Sequence, residues 1–288
     1  MARMGFNHAL VRFASPLLLL GPLAYTQRLA RGQEVPVLIR QTLAAELLAA
    51  QNTGQPMCYK LRKSSPRFTS TKAICETKEG AVARLVALND RPLTAADEQR
   101  EQARLNDLLG NPTRQRRRKQ SQDADTERVL KILRALPSAF LYTPLGQSDE
   151  MGMTVEKFRF EPNPHFDPPN LETLVLTEMA GELWIEPRQR HIVRLEGHLM
   201  QDVNFGWGIL GQVDKGGSIR IDQRDVGGSH WRITHLQLAM TGRIVLKSKS
   251  FSTDEVASDF TPIATSTTYT QAIQLLRSGT LTPAQASR

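Results

Sequence analysis

After residue 30, the sequence lacks any apolar run long enough to cross a membrane. A membrane-spanning helix needs about 20 consecutive apolar residues, so the body of the chain is predicted to be soluble. Its hydrophobic fraction of 40% and charged fraction of 23% are ordinary for a folded protein. The 288 residues are enough for one large β domain or two small domains.

Recognisable catalytic motifs are also missing. No G-x-S-x-G serine elbow occurs, and the glycine-rich stretch 211–218 has Gly217 where a phosphate-binding loop needs a lysine. His165 and Asp167 flank Phe166 and are close enough to share a metal, but no third ligand is visible. We therefore expect a protein that is not an enzyme and uses no cofactor or metal, with an unrecognised hydrolase as the third alternative.

Aromatic residues are scarce, at 6% of the chain. Trp184, Trp207 and Trp231 do not form the stacking ladder that single-stranded nucleic acids require. The net charge of +8 falls to −1 without the four arginines of residues 1–32 and one run of five cations. The basicity is thus local, and nucleic acid is not an expected partner.

The amino terminus is typical of a secretory signal. Arg3 and Arg12 precede a short apolar run over residues 13–25. Cleavage is expected near residues 24–26 or 30–32, which gives a signal segment 1–32 and a mature domain 33–288. The predicted location is the bacterial periplasm. An uncut amino terminus, which would tether the protein to the membrane, is the alternative.

Cysteine is rare, with two residues in the chain. Export favours a disulfide between Cys58 and Cys75. The segment 65–68 is predicted to form a tight turn with Pro66 at its second position. A hairpin centred between Pro66 and Arg67 places the two cysteines opposite each other, so a Cys58–Cys75 bridge is predicted.

Two helical regions are predicted before the main β region. Residues 35–53 carry an aliphatic face at helical spacing. A capping box at Thr94 begins a second helix that ends at Gly110. A polar loop over residues 111–126 and a third helix ending at Pro137 complete a helical, basic insert at about 93–137. The loop carries the run Arg114, Arg116, Arg117, Arg118 and Lys119, which is a candidate site for an anionic lipid surface or polyanion.

From residue 151 to 263 the sequence predicts successive antiparallel strands. Strands are expected at 182–186, 191–200, 218–225, 230–240 and 242–251. Alternation places a set of aliphatic side chains on one concave face, which must be covered by helices, by another sheet or by a ligand. These residues are Leu183, Ile185, Val193, Leu195, Leu199, Ile219, Ile221, Leu236, Leu238, Ile244 and Leu246. The predicted fold is mainly β with helices, as a strongly curved antiparallel sheet or unclosed barrel.

The region from about 158 to 260 resembles bacterial outer-membrane lipoprotein carriers of the Lol type. The segments that carry the resemblance are 158–162, 181–186, 192–195, 203–208, 215–217, Trp231 and 258–260. The resemblance implies an unclosed antiparallel barrel with helices in its mouth and an apolar cavity for acyl chains. It therefore favours a periplasmic carrier of lipid or acylated lipoprotein cargo. A protein that docks on anionic surfaces through residues 114–119 is the second hypothesis.

Overall fold

A computed structural model describes residues 35–52, 54–150, 152–205, 211–244 and 247–279. The predicted signal segment 1–32 lies outside the described residues. None of the helices in the described part is long and apolar enough to cross a membrane.

The described residues form thirteen strands and five α-helices. The strands are β1 (Met57–Ser64), β2 (Thr69–Cys75), β3 (Val82–Leu88), β4 (Arg91–Pro92), β5 (Phe140–Glu150), β6 (Met153–Pro162), β7 (Met179–Glu186), β8 (His191–Leu199), β9 (Val203–Phe205), β10 (Gly211–Val213), β11 (Ser218–Asp225), β12 (Trp231–Ile244) and β13 (Lys247–Pro262). The helices are α1 (Val37–Gln51), α2 (Ala95–Gly110), α3 (Pro112–Ala139), α4 (Leu171–Leu174) and α5 (Tyr269–Ser278), with a 3₁₀ turn at Val175–Glu178.

The strands form one antiparallel sheet in the order β4-β3-β2-β1-β13-β12-β11-β8-β7-β6-β5, with β9 and β10 attached beside β12. The two end strands, β4 and β5, do not pair with each other among the described residues. The sheet is therefore open, and the prediction of a mainly β fold with an unclosed antiparallel sheet is confirmed.

The β1–β2 hairpin confirms the predicted turn and disulfide. The backbone N–H of Ser65 donates to the carbonyl of Phe68, so the turn is centred between Pro66 and Arg67. Cys58 and Cys75 are register partners, their α-carbons are 4.0 Å apart, and the disulfide joins them. Closing a loop of this size stabilises the fold by about 3 kcal/mol.

Two buried clusters hold helices against opposite ends of the sheet. At the β1–β3 end, Leu105 of α2 and Ile273 of α5 pack around the disulfide. At the β5–β8 end, Ile39 of α1 and Leu136 of α3 pack with strand residues such as Leu183. The helix predicted at 35–53 is therefore confirmed as α1, and its aliphatic face packs against the protein core.

The predicted polar loop at 111–126 is wrong, because α3 is a continuous helix over this stretch. Asn111 caps its amino end by accepting from the backbone N–H of Arg114, and Pro112 occupies the first turn, where its missing N–H costs nothing. The segment is rich in Arg, Lys and Gln, which are good helix formers. Pro137 does not end α3, which continues to Ala139.

The last hairpin also differs from the prediction. A strand boundary was predicted near residue 241, but β12 continues to Ile244, which pairs with Lys247 at the start of β13. The predicted strand 242–251 is therefore split between two strands. Leu246 lies outside the described residues, and the side chain of Ile244 is not described. Thr241 and Gly242, at the predicted boundary, remain in the strand and pair with Ser250 and Lys249 of β13.

Candidate functional site

Register defines two faces of the central sheet, because paired residues point to the same side. The aliphatic face carries the cross-strand row Phe158, Leu183, Leu195, Ile221 and Leu236. The polar face carries the row Arg159, Glu182, Glu196, Arg220, Gln237 and Asp254. Helices α1 and α3 contact the aliphatic face.

Part of the predicted aliphatic set lies in a closed core. Leu183, Ile185 and Leu199 are at most 2% exposed and belong to the cluster that contains Ile39 and Leu43 of α1. Glu46 of α1 fastens the helix to the sheet by accepting from the backbone N–H of Ile192 at 3.0 Å. At these three positions the face packs against protein.

Val193 was predicted on the aliphatic face, and this prediction is wrong. A β-bulge in β8 pairs Trp184 with Arg194 but the next residue, Ile185, with Ile192. Val193 is the extra residue, so the alternation shifts by one position there. Its side chain packs with Val155 and Trp231 in a separate cluster. Ile192 occupies the position in the main core that alternation assigns to Val193. Strand alternation alone does not predict the bulge.

The rest of the predicted set forms a strip that we call the aliphatic strip. Its members are Leu195, Ile219, Ile221, Leu236 and Leu238, and all five are half-buried. Leu195 and Ile219 pack at the margin of the main core. The other three belong to none of the buried clusters of the described residues.

The aliphatic strip continues towards solvent on β13. Phe251 pairs with Met240 on the same face and is 51% exposed. Thr253 pairs with Leu238 and is 5% exposed, yet its Oγ1 has no hydrogen-bond partner among the described residues. Within that part of the chain, no helix makes an extensive contact with β11, β12 or β13. The sheet therefore presents an apolar surface, and one unpartnered hydroxyl is buried beside it.

The opposite side of the same strands contains an open cavity of about 790 Å³, which we call the polar trough. Two rows of side chains line it. One is the polar row from Arg159 to Asp254, and the other contains Ala180, His198, Ser218, Ala239 and Ser252, with Glu161 at its β6 end. The trough crosses six strands, β6, β7, β8, β11, β12 and β13.

A network of ion pairs borders the polar trough. The carboxylate of Asp222 accepts from the Nε of Arg194 at 2.5 Å and from the Nε of Arg220 at 3.0 Å. The Nη1 atom of Arg220 also lies 3.3 Å from the Oε1 atom of Glu196. Burial raises the pKa of Asp222, but the hydrogen bonds from the two arginines outweigh burial and hold this pKa below its ordinary value.

The predicted basic run lies on the amino-terminal half of α3, and its members have different surroundings. Arg114 pairs with Asp107, and Lys119 with Asp123. Arg118 is half-buried, and burial together with the nearby positive charges of Arg104 and Arg114 lowers its pKa.

The two remaining members of the run differ from these three. Arg116 donates to the hydroxyl of Thr113 and has no acidic partner among the described residues, and neither does Arg117. Both side chains are exposed. Only these two members of the run are both exposed and without an acidic partner among the described residues, so they offer the most accessible charge to an anionic surface.

Within the described ranges, no group of three or more His, Cys, Asp or Glu side chains is arranged to hold a metal ion. His165 and Asp167 both line a second groove, of about 460 Å³, between α3 and the loop that follows β6. The groove also contains Lys131 and Arg134. This arrangement assigns no metal or catalytic role to His165 or Asp167.

Comparison with known proteins gives only a weak similarity to a solved structure. No protein-family model matches the sequence, and no curated protein matches it. Among solved structures, the chain is similar to a domain from Vibrio parahaemolyticus that is named an outer membrane lipoprotein-sorting protein. The sequence identity is 12% and the TM-score 0.31, over 83% of this chain and 96% of the other. So low a similarity assigns neither a ligand nor a location to this chain.

Proposed function

We propose that this protein is an exported, non-catalytic carrier in the bacterial cell envelope, which binds an acyl chain of a lipid or lipoprotein on the aliphatic strip. The observation that carries the proposal is the contrast within one sheet face. Leu183 is closed in by α1 and α3, whereas Ile221, Leu236 and Leu238 lie outside every buried cluster of the described residues.

The strip suits a hydrocarbon chain better than a polar ligand. Its members are all Leu or Ile, and they follow one another across adjacent strands, as in the pairs Ile221–Leu236 and Ile219–Leu238. Burying one methylene group stabilises a complex by about 0.8 kcal/mol. A chain that covers several of these residues therefore gains several kcal/mol.

Thr253 gives the acyl ligand a polar anchor. Its hydroxyl is buried and unpartnered, and it lies beside Leu238 across the β12–β13 pair. A buried polar group without a partner costs about 1–3 kcal/mol. An ester or carboxyl oxygen at the end of an acyl chain would accept this hydroxyl hydrogen and remove that cost.

Export rests on the amino terminus and the disulfide. The basic residues Arg3 and Arg12 followed by the apolar run 13–25 are typical of a secretory signal. The Cys58–Cys75 bridge fits an oxidising compartment, because disulfides rarely persist in the cytosol. Amino-terminal sequencing of the exported protein should begin between residues 25 and 34, and a full-length cytoplasmic product would contradict export.

Binding of a fluorescent fatty acid to the full chain tests the carrier function. Leu236→Glu and, separately, Phe251→Glu place a charge on the strip and should weaken binding at least tenfold. Gln237→Glu is the matched control, because this substitution adds the same negative charge at the position next to Leu236, whose side chain lies on the opposite face of the sheet. The control should bind like the parent chain.

Failure of the parent chain to bind the fatty acid would overturn the carrier function. Equal weakening by Gln237→Glu would also contradict it, because the effect would then come from charge alone. Phe251 is half exposed, so its variant should fold even if Leu236→Glu proves unstable. Melting curves of all variants separate lost binding from lost folding.

Docking on anionic surfaces is a second candidate function. The observation in its favour is that Arg116 and Arg117 lie exposed and adjacent on α3 without acidic partners among the described residues. Each lysine or arginine near an anionic surface contributes about 1 kcal/mol. Two residues therefore support only weak, salt-sensitive attachment, which fits an accessory role beside the carrier.

A further inference from the structure

The polar trough is a second concave surface that acyl binding leaves unused. It lies on the polar face of the strands whose other face bears the aliphatic strip. A ligand in the trough therefore lies on the other side of the same strands, although Ile219, Leu238 and Thr253 of the aliphatic face also contribute to the trough lining.

The shape of the trough follows from side-chain size along its two rows. Ser218, Ala239 and Ser252 are cross-strand neighbours with short, exposed side chains. The polar row beside it bears long side chains such as Arg220 and Gln237. A low row beside a high one leaves an elongated channel across the strands. Its six strands span about 24 Å at the usual spacing of 4.7–4.9 Å, so it fits a chain-like ligand.

The part of the trough on β6, β7 and β8 carries polar side chains that make no bond within the described protein. The side chains of Arg159, Glu161 and His198 make no hydrogen bond or ion pair within the described part of the chain, and all three residues are exposed. The carboxylate of Glu182 accepts one hydrogen bond, from the indole N–H of Trp184 at 3.0 Å. Donors and acceptors thus stand side by side at the β6–β7 end of the trough.

The charge of the trough selects against polyanions and against acyl chains. Four carboxylates, of Glu161, Glu182, Glu196 and Asp254, face two guanidinium groups, of Arg159 and Arg220. An anionic ligand would meet this surplus of negative charge, and a hydrocarbon chain would bury charged groups at a high cost. An uncharged ligand with many hydroxyl groups meets neither penalty.

An extended peptide is also a poor fit. Backbone N–H and C=O groups inside a sheet are already paired in the ladder, so the face of the sheet offers a peptide no backbone partners. Carboxylate, guanidinium, imidazole and hydroxyl side chains are instead the groups that recognise ligand hydroxyls. We propose that the polar trough binds an uncharged oligosaccharide, with Arg159, Glu161 and His198 as its principal contacts.

Isothermal titration calorimetry on the full chain tests this site. The probes are hexasaccharides of glucose and of N-acetylglucosamine, both uncharged, and a hexamer of glucuronate as the anionic comparison. At least one uncharged hexasaccharide should bind, and the glucuronate hexamer should bind at least tenfold more weakly. Absence of binding by both uncharged probes, or tighter binding of the glucuronate hexamer, would overturn the proposal.

Two variants locate the binding in the trough. Ala239→Trp fills the channel from an exposed position, and the double variant R159A/E161A removes the unpaired contacts. Each should weaken binding of the hexasaccharide at least tenfold. Phe251→Glu is the control, because it changes the opposite face and should leave saccharide affinity within twofold.

The proposal also fails if saccharide binding survives Ala239→Trp, because the ligand then lies elsewhere. Fatty-acid binding by the same variants gives an independent readout. Ala239→Trp should leave fatty-acid binding unchanged, and loss of both ligands would indicate a folding defect, which a melting curve reveals.

Discussion

Leu183 and Leu236 lie on the same face of one sheet and in the same cross-strand row, yet their surroundings differ. Leu183 is 2% exposed beneath α1 and α3, whereas Leu236 is half-buried and outside the buried clusters of the described residues. The two residue types are identical, so side-chain chemistry does not explain the difference. Helix placement does, because the buried apolar side chains of α1 and α3 pack with residues at the β5–β8 end of the face.

The polar face of these strands provides a second contrast. There the strands are joined by ion pairs around Asp222, Arg194 and Arg220, and the cationic groups of Lys157 and Arg194 both lie over the Trp184 ring. The aliphatic face depends on packing, which is insensitive to pH, whereas the polar face depends on charge. Each contrast predicts which substitutions are costly.

The largest effect is expected at the covered end of the aliphatic face. Leu183→Ala should lower the free energy of unfolding by about 2–5 kcal/mol, because it leaves a cavity in a closed core. Leu236→Ala should cost less than about 1.5 kcal/mol, since this side chain is only half-buried. Urea unfolding of both variants measures the difference. Equal costs would show that the two ends of the face are packed alike.

Removing the disulfide should cost about 3 kcal/mol. The double variant Cys58→Ala and Cys75→Ala destabilises the β1–β2 hairpin, which β13 separates from the nearest strand of the aliphatic strip, β12. Fatty-acid affinity should be unchanged at a temperature where the variant is still folded. Loss of fatty-acid affinity in the folded variant would show that ligand binding on the strip depends on the β1–β2 hairpin.

The ion pairs of the polar face should make the free energy of unfolding depend on pH. The folded pKa of Asp222 is depressed, so its contribution is present above the pKa of the unfolded chain and is lost as the pH falls through the folded pKa. Hydrogen bonds to charged groups contribute about 1.5–3 kcal/mol, so Asp222→Asn should cost about this much at pH 7. Its cost should disappear towards pH 2.

Stability measured by urea unfolding between pH 7 and pH 2 checks this prediction. Leu183→Ala serves as the comparison, because a lost packing contact should cost the same across that range. A cost of Asp222→Asn that does not vary with pH would assign the residue to packing and not to charge.

The smallest effect on stability is expected on α3. Replacing Arg116 and Arg117 by Gln should change stability by less than about 0.5 kcal/mol, since both are exposed. The same double variant should weaken salt-sensitive binding to anionic vesicles. Arg114→Gln with Lys119→Gln is the matched control, because these two cations are paired with acids. A greater loss in the control would contradict the role of unpaired charge.

Local features of the fold were predictable because they depend on neighbouring residues. Thr94 caps α2 by accepting from the backbone N–H of Asp97, as the capping box predicts. The turn at Pro66 and the opposition of Cys58 and Cys75 follow from hairpin geometry alone. By contrast, the helix over 111–126 was missed because its polar composition resembles that of a loop when no packing is considered.

The candidate surfaces were only partly predictable. Period-2 alternation correctly placed Leu183, Leu195 and Leu236 on one face, but it failed at Val193, where a bulge inserts one residue. The polar trough had no sequence signal, since its lining residues come from six strands. Residues such as Arg159 and Ser252 are far apart in the chain, and each looks like an ordinary exposed strand residue.

The sequence by itself determined the antiparallel character of the sheet, the Cys58–Cys75 bridge and the presence of an aliphatic face, because periodicity and turn chemistry act over a few residues. Only the tertiary structure decided how that face is divided. Whether Leu183 or Leu236 is covered depends on where α1 and α3 pack, and that position is set by contacts across more than a hundred residues, such as Glu46 with Ile192. Strand alternation carries no information about such distant partners.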